Sequence, residues 1–497
     1  MRAGSRLVET TLFAVLSLGL AACPSKPKPP PAPALVAKAP AALFHAAQPM
    51  VVDVTLGLAK KGKLHVELPG DPGARPGEDA GPGTELSVRL RGLRPGTDYV
   101  AKLTVTAEDG ARETRELAFK TLPPLPGMIR SFEVKRSGAP SSEFRIFDLS
   151  VNPHWTLGAL YAVDPEGTTR FFLPRSAKAQ TLSGLPAGLK LRPDGTLLFV
   201  QDDHAVIVDE LGEVKLDIPA EKLGLKYLHH DIVELPNGNF ISMSFAFSDH
   251  VYAFDKKRHH IAGDTLVEFT RDGRLVWQWS SLDHLDWKRV RDGFPPPLPI
   301  PDPATGEIAD DWTHGNTIVY LPEDDSVLFS MRHQDWIIKI DRKTGKVVWK
   351  LGEDGDFALE GDRWFYHQHS PELMPDGSLL IYDNGVVNPH LPAREQRSRP
   401  LVMKLDEQAK TAKIVWQETN EHYVGILAGD ADRLDNGNIL VLDSAIPLVP
   451  GTFQPSFGRL REVDPKDNRW VWSMDLPNGR VAYRCIHSPR LPGERAR

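Results

Sequence analysis

The sequence predicts an all-β chain built largely from repeated four-stranded units, and three observations carry that prediction. Proline (43) and glycine (40) are plentiful in the 497 residues while aromatics make up 8%, which suits many short strands joined by tight turns. A core of apolar strand, Pro-Asp/Asn-Gly turn and second apolar strand recurs along the chain. Most of these cores are followed by a charged turn and a strand containing tryptophan. The chain is also too long for one ordinary core, so more than one domain is expected.

Residues 1–23 read as an export signal and stand outside the fold. Arg2 and Arg6 make a basic start, and residues 11–20 (TLFAVLSLGL) form an apolar run too short to span a bilayer as a helix. The run ends in Leu20-Ala21-Ala22-Cys23, which resembles the bacterial lipobox. That resemblance implies acylation of Cys23, anchoring to a membrane and, with Pro24 rather than Asp next in line, an outer-membrane destination on the periplasmic face. Residues 24–41 are rich in Pro, Ala and Lys and are expected to form an extended tether. With Cys23 lipidated, Cys485 has no partner in the chain and is expected to be a buried, inert thiol.

Residues 42–123 are expected to form a small β-sandwich. Alternating strands in residues 86–121 are separated by Arg94-Pro95-Gly96-Thr97 and Glu108-Asp109-Gly110 turns. The pattern Leu93-x-Pro95-Gly96-Thr97-x-Tyr99 and the closing Phe119-Lys120-Thr121 resemble a fibronectin type III module, which implies a spacer or lid.

Residues 124–497 hold the repeat. Its cores are 189–198 (LKLRPDGTLL), 232–241 (IVELPNGNFI), 318–329 (IVYLPEDDSVLF), 372–381 (ELMPDGSLLI) and 431–441 (ADRLDNGNILV). The tryptophan strands carry Trp277, Trp349, Trp416, Trp470 and Trp472. Four-stranded units at a spacing of about 40–60 residues are the signature of propeller blades. Residues 127–180 complete a sixth unit, so the prediction is a six-bladed β-propeller preceded by the small sandwich. The Pro- and charge-rich segment 286–311 is expected as a long loop on one face, and His259-His260 as a solvated loop.

Aligning the cores on their turn glycines locates candidate chemistry. Eight residues before Gly238 stands His230, and eight before Gly377 stands His369; in the unit with the longer turn the matching position is His314. Ala187 and Gly429 hold this position in the other two units. Equivalent positions on different blades point at a common axis, so three histidines are expected to meet near the channel mouth. Arg332, on the strand after His314, presents a planar fork of donors suited to an oxyanion. Three imidazoles and a guanidinium with no run of carboxylates describe an anion site, with sulfate or phosphate esters as ligands, better than a metal site. His229, His333 and His367 adjoin this set and are expected to pack or support, since strand neighbours point to opposite faces. Asp311, Asn316, His333 and Gln368 are candidates for binding substrate or orienting the site histidines.

The segments 311–316 (DWTHGN), 332–340 (RHQDWIIKI), Gln368-His369, Asp383-Asn384-Gly385 and Ser398-Arg399 resemble the bacterial aryl-sulfate sulfotransferase family. The resemblance covers about residues 125–497. It implies a periplasmic six-bladed propeller that uses no nucleotide sulfate donor and no cofactor, with aryl sulfates and phenols as substrates. Carried onto this chain, it makes His369 the nucleophile that takes up the sulfuryl group, with His230, His314 and Arg332 around the sulfate and one of His230 and His314 moving the phenolic proton. The sequence departs from the family in its fibronectin-like N-terminal part, in lacking the cysteines for the disulfide some members carry, and in Met331, where a small residue is common.

Two other functions stay open at this point: a histidine-ligated metal enzyme on the same scaffold, and a non-catalytic propeller that binds anions or glycans. The 59 basic and 66 acidic residues (net −7) include no basic block, so no nucleic-acid partner is expected. No Walker-type phosphate loop is present, since Gly345-Lys346 runs into Val347.

Overall fold

The computed structural model describes residues 34–151, 157–177, 184, 186–296, 299–448 and 456–496. Cys23 and the expected signal segment lie outside the described residues.

Six strands from Val36–Phe44 to Arg112–Lys120 form one N-terminal sheet. Alternation of inward apolar and outward polar residues is clearest in Asp98–Ala107, whose Leu103 and Val105 are fully buried with Val52, Val54, Leu64, Val88 and Leu90. The sixteen-residue strand Val52–Glu67 pairs with Val36–Phe44 through its first half and with Asp98–Ala107 through its second. Its register against Ala80–Arg91 shifts between Gly57 and Gly62. The sheet curls there, so that Val36–Phe44 meets Arg112–Lys120: the Leu35 amide donates to Glu113, and Phe44 lies 6.3 Å from Phe119. A single curled sheet therefore wraps the core. Residues 36–41, expected as the end of the tether, are in strand because their backbone pairs with 55–58.

This unit is fastened to the repeat region. Gln48, fully buried, donates to the carbonyls of Phe172 and Glu210, and Arg89 and Arg91 both reach Glu210. Arg170 bridges Asp71 and Asp164 with all three side chains 4% exposed.

Among the described residues, six further sheets make up the repeat region. The first holds Phe144–Val151, Leu157–Val163 and Thr169–Ser176, and the second Ala187–Leu191 through Val214–Pro219. The third leads with His229–Glu234, the fourth with Gly315–Leu321, the fifth with His369–Leu373 and the sixth with Asp430–Arg433. Both ends of the repeat region cross over. C-terminal Cys485–Ser488 pairs with Phe144–Val151 in the first sheet, and Val134–Arg136 adds the outer strand to the sixth. The leading strands lie side by side in chain order, and Asp430–Arg433 lies against Cys485–Ser488, which returns the order to the first sheet.

Position within a sheet explains sequence. Second strands such as Leu197–Gln201, Ser326–Met331 and Leu379–Asp383 are buried at every residue because neighbouring sheets cover both faces. Outer strands alternate, exposing Val214, Val276, Val348 and Val415 while burying Trp279, Trp349 and Trp472. The repeated turn needs glycine, as Gly195, Gly238, Gly377 and Gly437 all have φ between 79° and 87°.

Two expected loops contribute strand residues. Segment 286–311 contains Pro299–Pro301 and Ile308–Asp311, which extend the third sheet along Arg258–Phe269. His259 and His260 lie within that strand, and each bridges two carboxylates: Asp255 and Asp310 for one, Asp249 and Asp302 for the other. Long-range partners order residues whose local composition reads as loop.

Candidate active site

The histidine site forms where the leading strands begin, and each of these strands is kinked there. Pairing shifts between Ala187 and Lys190, His229 and Ile232, Gly315 and Thr317, and His369 and Glu372. A left-handed residue sits in or beside each kink: Gly188 (φ 64°), His230 (60°), His314 (50°) and Ser370 (48°). By this pairing His369 matches Ala187 and His229, one residue before the left-handed position that His230 and His314 occupy. The equal register read from the turn glycines is thus off by one for His230, because its hairpin is one residue longer between kink and glycine. The imidazoles still gather. A bulky residue with positive φ is strained by roughly 1–3 kcal/mol, a cost that clusters at functional sites.

The rings form a row. His230 and His314 have centroids 4.8 Å apart, His314 and His333 4.6 Å, and His333 and His367 5.6 Å. Tyr483 stands between His230 and His369, 5.8 and 6.4 Å from their rings.

Arg332 is not on a strand. Ser326–Met331 ends before it, and Arg332–Gln334 is a short 3-10 helix closed by Asp335 at φ 53°. Strand alternation fails here, so His333 turns to the same side and its Nε2 accepts from Arg332 Nη1 at 2.8 Å. The same breakdown at His230 sets its Nδ1 2.8 Å from that of His229. Arg332 Nη2 donates to the Ile426 carbonyl, while Nε is buried with no partner among the described residues. Burial pushes this guanidinium down to about 10, still charged at neutral pH.

The Nδ1 atoms of the other histidines have defined neighbours. His314 Nδ1 lies 2.5 Å from Asp311 Oδ2, and His333 Nδ1 donates to the Asp311 carbonyl. His367 Nδ1 is 3.1 Å from Asp335. His369 Nδ1 is 2.7 Å from Asn384 Oδ1, and the Asn384 amide donates to the carbonyls of Gly425 and Ala428. That amide orientation makes His369 Nδ1 the protonated nitrogen and leaves the Nε2 lone pair open. Burial, reinforced by Arg332, holds His369 well below the ordinary imidazole range, so the ring is neutral at pH 7. Burial likewise lowers His314 and His333 strongly, and His230 to about 4.

Asn316 and Gln368 are bracing groups. The Asn316 amide donates to the Gln368 carbonyl, and the Gln368 amide donates to the carbonyls of Met331 and Trp336, tying the fourth sheet to the fifth. Cys485 is 1% exposed, and burial raises its thiol well above the ordinary value.

Sequence reasoning missed Tyr483 and Arg484. Arg484 donates to Thr317 Oγ1 and faces Asp231, which also holds Lys190. They reach the centre only because the C-terminal strand closes the first sheet, and no local motif marks them. Asn384 was visible as part of Asp383-Asn384-Gly385, but its grip on His369 was not.

The arylsulfotransferase (ASST) family model matches residues 132–484, and the chain belongs to that family. It is 25% identical over 397 residues to the arylsulfate sulfotransferase AssT of Escherichia coli O6:H1 (strain CFT073), and 25% identical over 398 to that of Lelliottia amnigena. Each match covers 66% of this chain and 64% of the relative. Among solved structures, the periplasmic gluconolactonase PpgL of Pseudomonas aeruginosa aligns with 78% of this chain and 94% of its own at 13% identity and a TM-score of 0.34. At that level the strand pairing itself carries the fold.

Proposed function

We propose that this chain transfers a sulfuryl group from a phenolic sulfate ester to a phenolic acceptor through a sulfohistidine at His369. One observation carries the reading: a neutral imidazole with its tautomer set by Asn384 and its Nε2 open, at a site whose arginine has a buried N–H with no partner among the described residues. The activity named for the relatives, moved onto this chain, agrees with that chemistry. His369 Nε2 attacks sulfur while the S–O bond breaks and its electron pair goes to the aryl oxygen. Arg332 and the imidazole row meet the charge on the transferring group. An acceptor phenol then displaces His369 in the reverse sense.

In the same reading the six sheets are blades of a propeller closed by both ends of the repeat region, and residues 36–120 form a docked accessory domain. The lipobox resemblance at Cys23 assigns an acyl anchor at the outer membrane, with the body on the periplasmic side.

A metal enzyme is the second reading, since ligand atoms of Asp311, His314 and His333 lie within 4.8 Å of one another. Both ring nitrogens of His333 are engaged with Arg332 and Asp311, and the adjoining guanidinium opposes a divalent cation, which favours the first reading.

The test is protein beginning at Pro24 with 4-nitrophenyl sulfate, with and without phenol, beside His369→Ala. Phenol-dependent nitrophenolate release that vanishes in the variant supports sulfuryl transfer. Release only after adding a divalent metal supports the second reading, and no release under any condition overturns both.

A further inference from the structure

Asp311–His314 is not the only carboxylate–imidazole pair at this site. His367 precedes the leading strand of the fifth sheet by two residues and is left-handed (φ 56°). Its backbone N–H and its Nδ1 both point at Asp335 Oδ1, at 2.7 and 3.1 Å. The ring is buried beside His333, and its Nε2 has no hydrogen-bond partner among the described residues.

Asp335 is itself held from outside the sheet. Arg291 Nε donates to Asp335 Oδ2 at 3.0 Å. Two residues earlier in the same insertion, Arg289 donates to the carbonyl and side chain of Gln334 and lies 3.8 Å over the Trp336 ring. Trp312 returns a bond to the Arg289 carbonyl. Segment 286–293 therefore straps the turn that carries Arg332, His333 and Asp335.

We propose that His367 is a further catalytic residue of this site, exchanging the proton of the aryl oxygen through Nε2, with Asp335 and Arg291 as positioning residues. This rests on sulfuryl transfer at His369. As the S–O bond of the donor breaks, the Nε2–H of His367 passes its proton to the departing oxygen, giving a neutral phenol and a neutral imidazole. The acceptor phenol returns a proton to the same nitrogen as its oxygen attacks sulfur and the N–S bond opens.

The two imidazoles differ in the carboxylate behind them. His314 meets the Asp311 carboxyl, while His333 donates to the main-chain carbonyl of the same residue, and burial raises that carboxyl. Asp335 is kept in its charged form by His367 and Arg291. Burial lowers His367, as do Arg332 and Arg291, while Asp335 opposes them. His314 and His333 also face it.

A good general acid matters little when the leaving phenol is acidic and greatly when it is not. The experiment is single-turnover cleavage of 4-nitrophenyl sulfate and phenyl sulfate by the chain beginning at Pro24, wild type beside His367→Asn and Arg291→Met. His367→Asn is expected to lose on the order of 100-fold on phenyl sulfate and under about tenfold on 4-nitrophenyl sulfate. Arg291→Met, on the insertion, leaves both pair members in place but removes a cation. It is expected to move the alkaline limb of the phenyl sulfate profile to higher pH, because the protonated acid then persists further. Equal losses on both donors, no loss on phenyl sulfate, or an unmoved limb overturns the assignment to His367. A wild type silent on both donors overturns sulfuryl transfer itself, and this proposal with it.

Discussion

The Nδ1 of His369 lies 2.7 Å from the side-chain oxygen of Asn384, whose amide is turned by the carbonyls of Gly425 and Ala428. An amide oxygen sets the tautomer without placing a charge against the ring. A carboxylate there would favour the protonated imidazole and take away the lone pair.

Asn384→Leu removes that control. The first transfer step is expected to fall on the order of 100-fold, in line with the loss of a tautomer-setting partner. Rapid-quench nitrophenolate release measures it, and an unchanged burst rate would show that His369 needs no orienting partner.

Arg332→Lys keeps the charge and loses the fork, along with the donor to His333 Nε2. Turnover is expected to drop by about 10²–10³ while the fold persists. Retention of wild-type kcat/KM would remove Arg332 from the site.

His230 makes acid stability a direct readout of burial. Its folded value is about 4, so below the ordinary imidazole value near 6.5 the unfolded chain takes up a proton that the folded chain refuses. Its contribution is present above that range and is lost as the pH falls through it. Asp264, raised to about 7, works in the opposite sense, so the comparison must be between variants. Between pH 7 and 5, the wild type is expected to lose about 2 kcal/mol more than His230→Gln in urea unfolding. Parallel losses would mean that His230 titrates normally.

The accessory sheet is expected to be part of the cooperative fold. Arg170→Met strands Asp71 and Asp164 in a buried interface, which is expected to cost about 3–5 kcal/mol. Denaturant unfolding followed by tryptophan fluorescence checks this, and a loss under about 1 kcal/mol would mean that the pairs contribute little.

Much of the site was legible because a repeat carries it. His230, His314 and His369 stand near the same point of successive cores, and Arg332 comes shortly after one of them, so local spacing located all four. The register was misjudged by one because a β-bulge adds a residue without leaving a mark in the apolar pattern. The facing of His333 and His367 was misjudged because strand alternation was applied across a 3-10 turn and a left-handed residue.

By itself the sequence determined an all-β chain, its repeating strand-turn-strand cores, the glycines of the turns and the histidines at the strand starts. These arise from periodicity and backbone sterics, which act over a few residues. Tertiary structure alone decided the closure of the first sheet by Cys485–Ser488, the arrival of Tyr483 and Arg484, the partner of each imidazole, and the strap from Arg291 to Asp335. Those contacts join residues up to hundreds of positions apart, and burial then sets the protonation of groups whose local sequence is ordinary.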